Sequence, residues 1–236
     1  MKTQVTAFAL LAGVFVLTGW SAKAAERKPE LLSEQERRAG WQSLFDGKTT
    51  DGWRNYRKEG VSSGWVVENG ELIRRGKGAG DLITREKFGS FELILDYKIS
   101  MGGNSGLMFH VTEEAEKPWQ TGPELQIQDN AAGKDPQKAG WLYQLYRAEQ
   151  DLTKPAGEWN ELRLVVTQKG GEVWMNGQRY YSFVKGGDDW NERVAKSKFA
   201  KFPLFGKAVE GHICLQDHGN GVAFRNIRIR ALDDRS

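Results

Sequence analysis

The sequence predicts an all-β domain, a sandwich of two packed antiparallel sheets. Three observations carry this. Short apolar stretches alternate with turn clusters at roughly 8–12-residue spacing. Asn69-Gly70 and Asn176-Gly177 each lie between alternating stretches, a strong hairpin signal. The chain of 236 residues also lacks long helical periodicity, internal repeats and low-complexity tracts.

Residues 1–24 read as a secretory leader. Lys2 supplies a positive start, Val5 to Gly19 is almost wholly apolar, and Ala22-Lys23-Ala24 is a small-x-small cleavage site. The apolar run is shorter than the ~20 residues a spanning helix needs. In Leu17-Thr18-Gly19-Trp20, Trp20 stands where a lipoprotein signal needs a cysteine. The expected mature protein is periplasmic or secreted, with no membrane attachment after cleavage.

Residues 25–38 form a charged N-terminal segment, with a short helix expected after Ser33 as N-cap. Residues 39–232 hold the sandwich. Its expected strands are Trp65 to Val67, Glu71 to Arg74, Asp81 to Thr84, Phe91 to Ile99, Ser105 to Val111 and Glu124 to Gln128. Trp159 to Gln168, Glu172 to Trp174, Gln178 to Phe183, Gly211 to Gln216 and Val222 to Ala231 follow. A Gly170-Gly171 turn is expected before Glu172. Residues 129–158 and 184–210 have little strand signal, and loops of that length in a compact domain are commonly either functional or poorly ordered.

Composition narrows the partners. The chain has 34 basic and 31 acidic residues, and the leader takes Lys2 and Lys23. A near-neutral balance with no basic block among aromatics gives no reason to invoke nucleic acid. Cys214 is the only cysteine, so no intramolecular disulfide forms, and its apolar strand setting predicts a buried thiol. Nine Trp point to a core rich in large aromatics, with one to three exposed for stacking on sugar rings.

Three segments place polar groups in strand-like sequence: Gly102 to His110, Glu124 to Asn130 and His212 to Gly219. Side chains alternate along a strand. If Leu125 and Ile127 face the core, Glu124, Gln126 and Gln128 share the other face. If Ile213 and Leu215 face the core, His212, Cys214, Gln216 and His218 lie opposite. Such a polar row suits sugar hydroxyls, which need paired donors and acceptors. The three histidines, His110, His212 and His218, have no compact metal spacing. No nucleophile elbow, phosphate loop or dinucleotide fingerprint is present, so no organic cofactor is expected. Glu-x-Gln in place of two acids on one strand face weakens a conventional glycosidase working through paired carboxylates.

In order and spacing, a set of motifs resembles the 3-keto-disaccharide hydrolase family. They are Gly40-Trp41-x-x-Leu44-Phe45-Asp46-Gly47-Lys48 with Trp53, Gly103-Asn104-Ser105-Gly106, and Glu124-Leu125-Gln126-Ile127-x-Asp129. Trp159-Asn160-Glu161, Asn176-Gly177, Leu215-Gln216-Asp217-His218-Gly219 and Phe224-Arg225-Asn226-Ile227 complete the set. The resemblance implies a concanavalin A-like jelly roll acting on glycosides whose glucose unit carries a 3-ketone. The bond would break by elimination across C1–C2, or the resulting 2-hydroxyglucal would be hydrated. A glycoside 3-oxidoreductase would be the functional partner. The resemblance implies catalytic roles for His218, Glu124 and Asp129, and substrate contacts from Asn104, Gln126, Gln216, Asp217 and His110. A divalent metal could hold the C3 oxygen and the C2 hydroxyl, its ligands unassigned beyond His218 or Glu124. A non-catalytic carbohydrate-binding module of the same fold is the alternative.

Overall fold

The computed structural model describes residues 32–233, so the leader lies outside the described residues. A five-residue helix, α1 (Glu34–Arg38), opens them. Ser33 caps it as expected: its Oγ accepts from the Glu36 amide while the Glu36 carboxylate accepts from the Ser33 amide.

Thirteen strands follow: β1 (Gln42–Ser43), β2 (Trp53–Asn55), β3 (Trp65–Glu68), β4 (Glu71–Arg74), β5 (Leu82–Thr84), β6 (Phe91–Ile99) and β7 (Asn104–Val111), then β8 (Glu124–Gln128), β9 (Asn160–Thr167), β10 (Gly170–Met175), β11 (Gln178–Phe183), β12 (His212–Leu215) and β13 (Val222–Ala231). A wide antiparallel sheet runs β11-β10-β9-β6-β13-β4-β3, with β1 also on β13, and a narrow one runs β2-β5-β12-β7-β8. This is the expected two-sheet jelly roll. Both Asn-Gly turns form as expected, with positive φ at Asn69, Gly70, Asn176 and Gly177. The turn after β9 falls instead on Gln168-Lys169, and Gly170 and Gly171 begin β10. Gly171 is needed there because a Cβ would meet the Phe183 ring.

The core lies between the sheets. Phe91, Leu93, Leu95, Tyr97 and Ile99 of β6 face Leu107, Phe109, Leu125, Ile127, Ile213 and Leu215 of the narrow sheet. Each such buried side chain contributes about 1.5–3 kcal/mol of transfer free energy. Cys214 is buried as expected, in a second cluster with Ile83, Met108 and Val111 on the narrow sheet's other face. The tryptophans differ from expectation. Trp53, Trp65 and Trp190 are core, whereas Trp41, Trp159 and Trp174 lie half-buried beneath arginines or lysines. Cation–π contact covers their faces where burial does not.

The segment from 184 to 210 holds a nine-residue helix, α2 (Asp188–Lys196). Its single buried residue, Trp190, is too little apolar signal to announce a helix. Tyr146 donates to Asp189 (2.6 Å) and Arg193 donates to the Leu145 carbonyl (2.9 Å), which ties this segment to the loop 129–158.

Candidate active site

The outer face of the narrow sheet carries two adjacent rows. Pairing places Ile83, Cys214, Met108 and Glu124 in one. Alternation and the Gln216 amide bond to Gly106 place Asp81, Gln216, Gly106 and Gln126 in the next. Asn104 opposite Gln128 continues the pattern. The expectation that Glu124, Gln126 and Gln128 share this face therefore holds, since Leu125 and Ile127 point into the core.

At the β8 end the face deepens into a cleft of about 250 Å³ lined by Asn104, Trp119, Glu124, Asp135, Tyr143, Lys198, Gln216 and His218. Glu124 forms its floor at 5% exposure. Its carboxylate leans over Gly106, where no side chain competes for the space. Burial pushes its pKa up to about 8, opposed by the Lys198 charge and the Gln216 amide and reinforced by Asp81 and Asp135. Burial likewise raises Asp81 to about 6. Asn104 Oδ1, Gln216 Oε1, Gln128 Oε1 and both polar atoms of Gln126 are buried with no hydrogen-bond partner. Buried polar groups are normally paired, so this cluster of orphan amides marks a surface built for a polar ligand.

His218 stands exposed at the rim. The 217–219 turn beneath it is held by Asp217, whose carboxylate accepts from Arg74 Nε (2.6 Å) and from the Gly80 and Gly219 amides (2.7 and 3.0 Å). Burial works against this charge, yet Arg74 and the amides hold the carboxyl below its usual range. Asp217 thus positions the turn and does not line the cleft.

Asp129 and His110 also lie outside the cleft. Asp129 accepts from the Gly102 and Ala131 amides (2.9 and 3.1 Å), which lower its pKa and fix the loop. His110 is 3% exposed and donates through Nε2 to the Gly89 carbonyl (2.8 Å), while Lys185 donates to its Nδ1 (2.9 Å). Burial and Lys185 lower its pKa to about 4, so the ring stays neutral. Several other motif residues are structural. Asp46 accepts from the Lys48 and Thr49 amides, and Asn160 accepts from Asn176 Nδ2 and the Lys154 amide.

Four lining residues escaped sequence reasoning: Trp119, Asp135, Tyr143 and Lys198. They come from loops without periodicity. Tyr143 donates to Asp135 (2.8 Å), and the Lys198 ammonium lies 4.0 Å from the Tyr143 ring centre and 5.5 Å from that of Trp119.

Among the described residues, no three His, Cys, Asp or Glu side chains converge as a ligand set. Asp129 and Asp217 are already committed to amides and Arg74.

Residues 40–230 match the 3-keto-alpha-glucoside-1,2-lyase-like domain. The chain belongs to this family. A 3-keto-disaccharide hydrolase of Bacteroides thetaiotaomicron is 35% identical, over 82% of this chain and 79% of that protein. Among solved structures, a candidate glycosyl hydrolase of Parabacteroides distasonis superposes with a TM-score of 0.80 at 36% identity, covering 86% of this chain and 99% of that one. A second from the same organism gives 0.62 at 30% identity, covering 81% and 99%. Family membership makes this a carbohydrate-processing protein.

Proposed function

We propose that the protein cleaves 3-keto-glucosides by elimination across C1–C2, with Glu124 as the general base. A ketone at C3 acidifies the C2 proton, so a base can begin cleavage without an oxocarbenium-like state. Glu124 takes that proton. The C2–H electron pair forms the C2–C3 double bond and the carbonyl pair moves onto the C3 oxygen. When the carbonyl re-forms, the C1–C2 double bond appears and the C1–O bond breaks. The departing oxygen takes a proton at the rim, where His218 stands.

The observation that carries this reading is the buried Glu124 carboxylate, raised to about 8, at the floor of a cleft lined by unpartnered amides. A base works best with a pKa near the working pH. A module that only binds sugar has no use for a carboxylate kept so costly to ionise. The orphan amides of Asn104, Gln126 and Gln216 would pair with ring hydroxyls, and Trp119 offers a flat wall for the sugar face. The ketone needs an earlier oxidation, so a glycoside 3-oxidoreductase would supply the substrate, and the leader-like N-terminus favours action in the periplasm or outside the cell.

The test is turnover of methyl 3-keto-glucoside beside unoxidised methyl glucoside, with wild type and Glu124→Gln. Enone formation from the ketone alone, lost in Glu124→Gln, is expected. Cleavage of the unoxidised glucoside alone would refute the reading, and sugar binding without turnover would favour the binding module.

A further inference from the structure

We propose that Lys198 is a catalytic residue, the cation that receives the negative charge on the C3 oxygen as the C2 proton leaves, and that it makes the cleft prefer a C3 ketone over a C3 hydroxyl. This rests on the elimination proposed above. Lys198 reaches the cleft from a turn, residues 198–201, held on both sides. Its amide donates to Gln144 Oε1 (2.9 Å), and Ser197 Oγ accepts from the Phe199 amide (3.1 Å). The two long loops thus fix the backbone of this residue.

Its ammonium group stands between the Tyr143 and Trp119 rings. The ion pairs formed among the described residues leave it without a carboxylate inside 4.0 Å, and its exposed side chain lines the cleft. A charge flanked by ring faces and without a carboxylate partner is open to a ligand oxygen. The other donors lining the cleft include the Trp119 indole and the amides of Asn104 and Gln216, all neutral. The unpartnered oxygens of Asn104 and Gln216 accept from a hydroxyl and have no proton to give a ketone oxygen. A full positive charge interacts most strongly with an oxygen that becomes an enolate, which is how a preorganised charge lowers a barrier. In this arrangement Glu124 and Lys198 divide the work: one accepts the proton, and the other stabilises the charge left behind.

The test uses the full protein with methyl 3-keto-glucoside, comparing wild type, Lys198→Met, Lys198→Arg and Lys198→Ala. Loss of one such charge is expected to lower kcat by roughly 10²–10³-fold. KM should move much less, and unoxidised methyl glucoside should bind Lys198→Met as it binds wild type. Lys198→Arg should keep part of the rate, and added ethylammonium should partly restore Lys198→Ala. A Lys198→Met kcat within threefold of wild type would overturn the inference while leaving the elimination standing. So would a loss confined to KM, or a lost rate in Lys198→Ala that neither ethylammonium nor the arginine variant recovers. A wild type inert on the ketone would instead refute the elimination, and the inference with it.

Discussion

The Glu124 carboxylate occupies the space that a side chain at position 106 would fill: a Cβ on Gly106 would lie 2.9 Å from Glu124 Cδ. The glycine is a hole in the sheet surface, and the reactive group rests in it. Gly106→Ala should therefore leave the β-sheet pairing intact and push the carboxylate out of place. A displacement of about 1 Å typically costs roughly 10²-fold in rate. Steady-state kinetics beside a circular dichroism spectrum check both halves, and a fully active Gly106→Ala would show that the carboxylate position does not matter.

Glu124 should set opposite demands on activity and stability. As a base it works only when ionised, so kcat/KM should rise with pH through about 8. Its folded pKa lies above the unfolded carboxylate value of ~4.3. Between those two values the folded state holds a proton that the unfolded state has lost, so stability falls as pH rises through this window. Glu124→Gln removes the titration. Relative to wild type it should gain thermal stability as pH climbs to about 8 and above, by roughly 2–4 °C for each kcal/mol, and lose that gain near pH 4. Calorimetry at pH 4, 6 and 9 measures this, and a pH-independent difference would contradict it.

Arg74 and Asp217 bridge the two sheets with side chains only 8% and 11% exposed. Removing one partner of so buried a pair leaves an uncompensated charge and costs about 3–5 kcal/mol. Arg74→Met should lose that much in urea titration. It should also loosen the turn under His218 and slow turnover. Because Asp217 titrates below the usual range, the bridge contributes stability above the unfolded carboxylate pKa and loses it as pH falls through the folded one. The deficit of Arg74→Met should therefore shrink in acid.

The leader reading makes a chemical prediction. Expressed with its full sequence in a bacterium, the protein should be recovered from the periplasm or medium with Ala25 as its first residue, as intact-mass measurement would show. A retained leader, or a fatty-acyl mass increment, would contradict it.

The polar row on β8 was legible because strand alternation is a local rule, and Leu125 and Ile127 declared the buried face. Both Asn-Gly hairpins were legible for the same reason. Lys198, Tyr143, Asp135 and Trp119 were not, because their loops acquire a direction only when packed against one another. Asp129, Asp217 and His110 expose a different limit. A carboxylate that holds a turn and one that meets a sugar look alike in sequence, and only their hydrogen-bond partners tell them apart.

The order of the strands also sets an order of events. β12 fills the middle of the narrow sheet, between β5 and β7, and β13 fills the middle of the wide one, between β6 and β4. Both central strands come from the last part of the chain, while several of their partners lie more than 100 residues earlier. Contacts so distant in sequence form slowly. Neither sheet can close during synthesis until residue 212 and beyond have emerged. Glu124 and Gln216 meet only at the end, and the cleft is among the last parts of the molecule to exist.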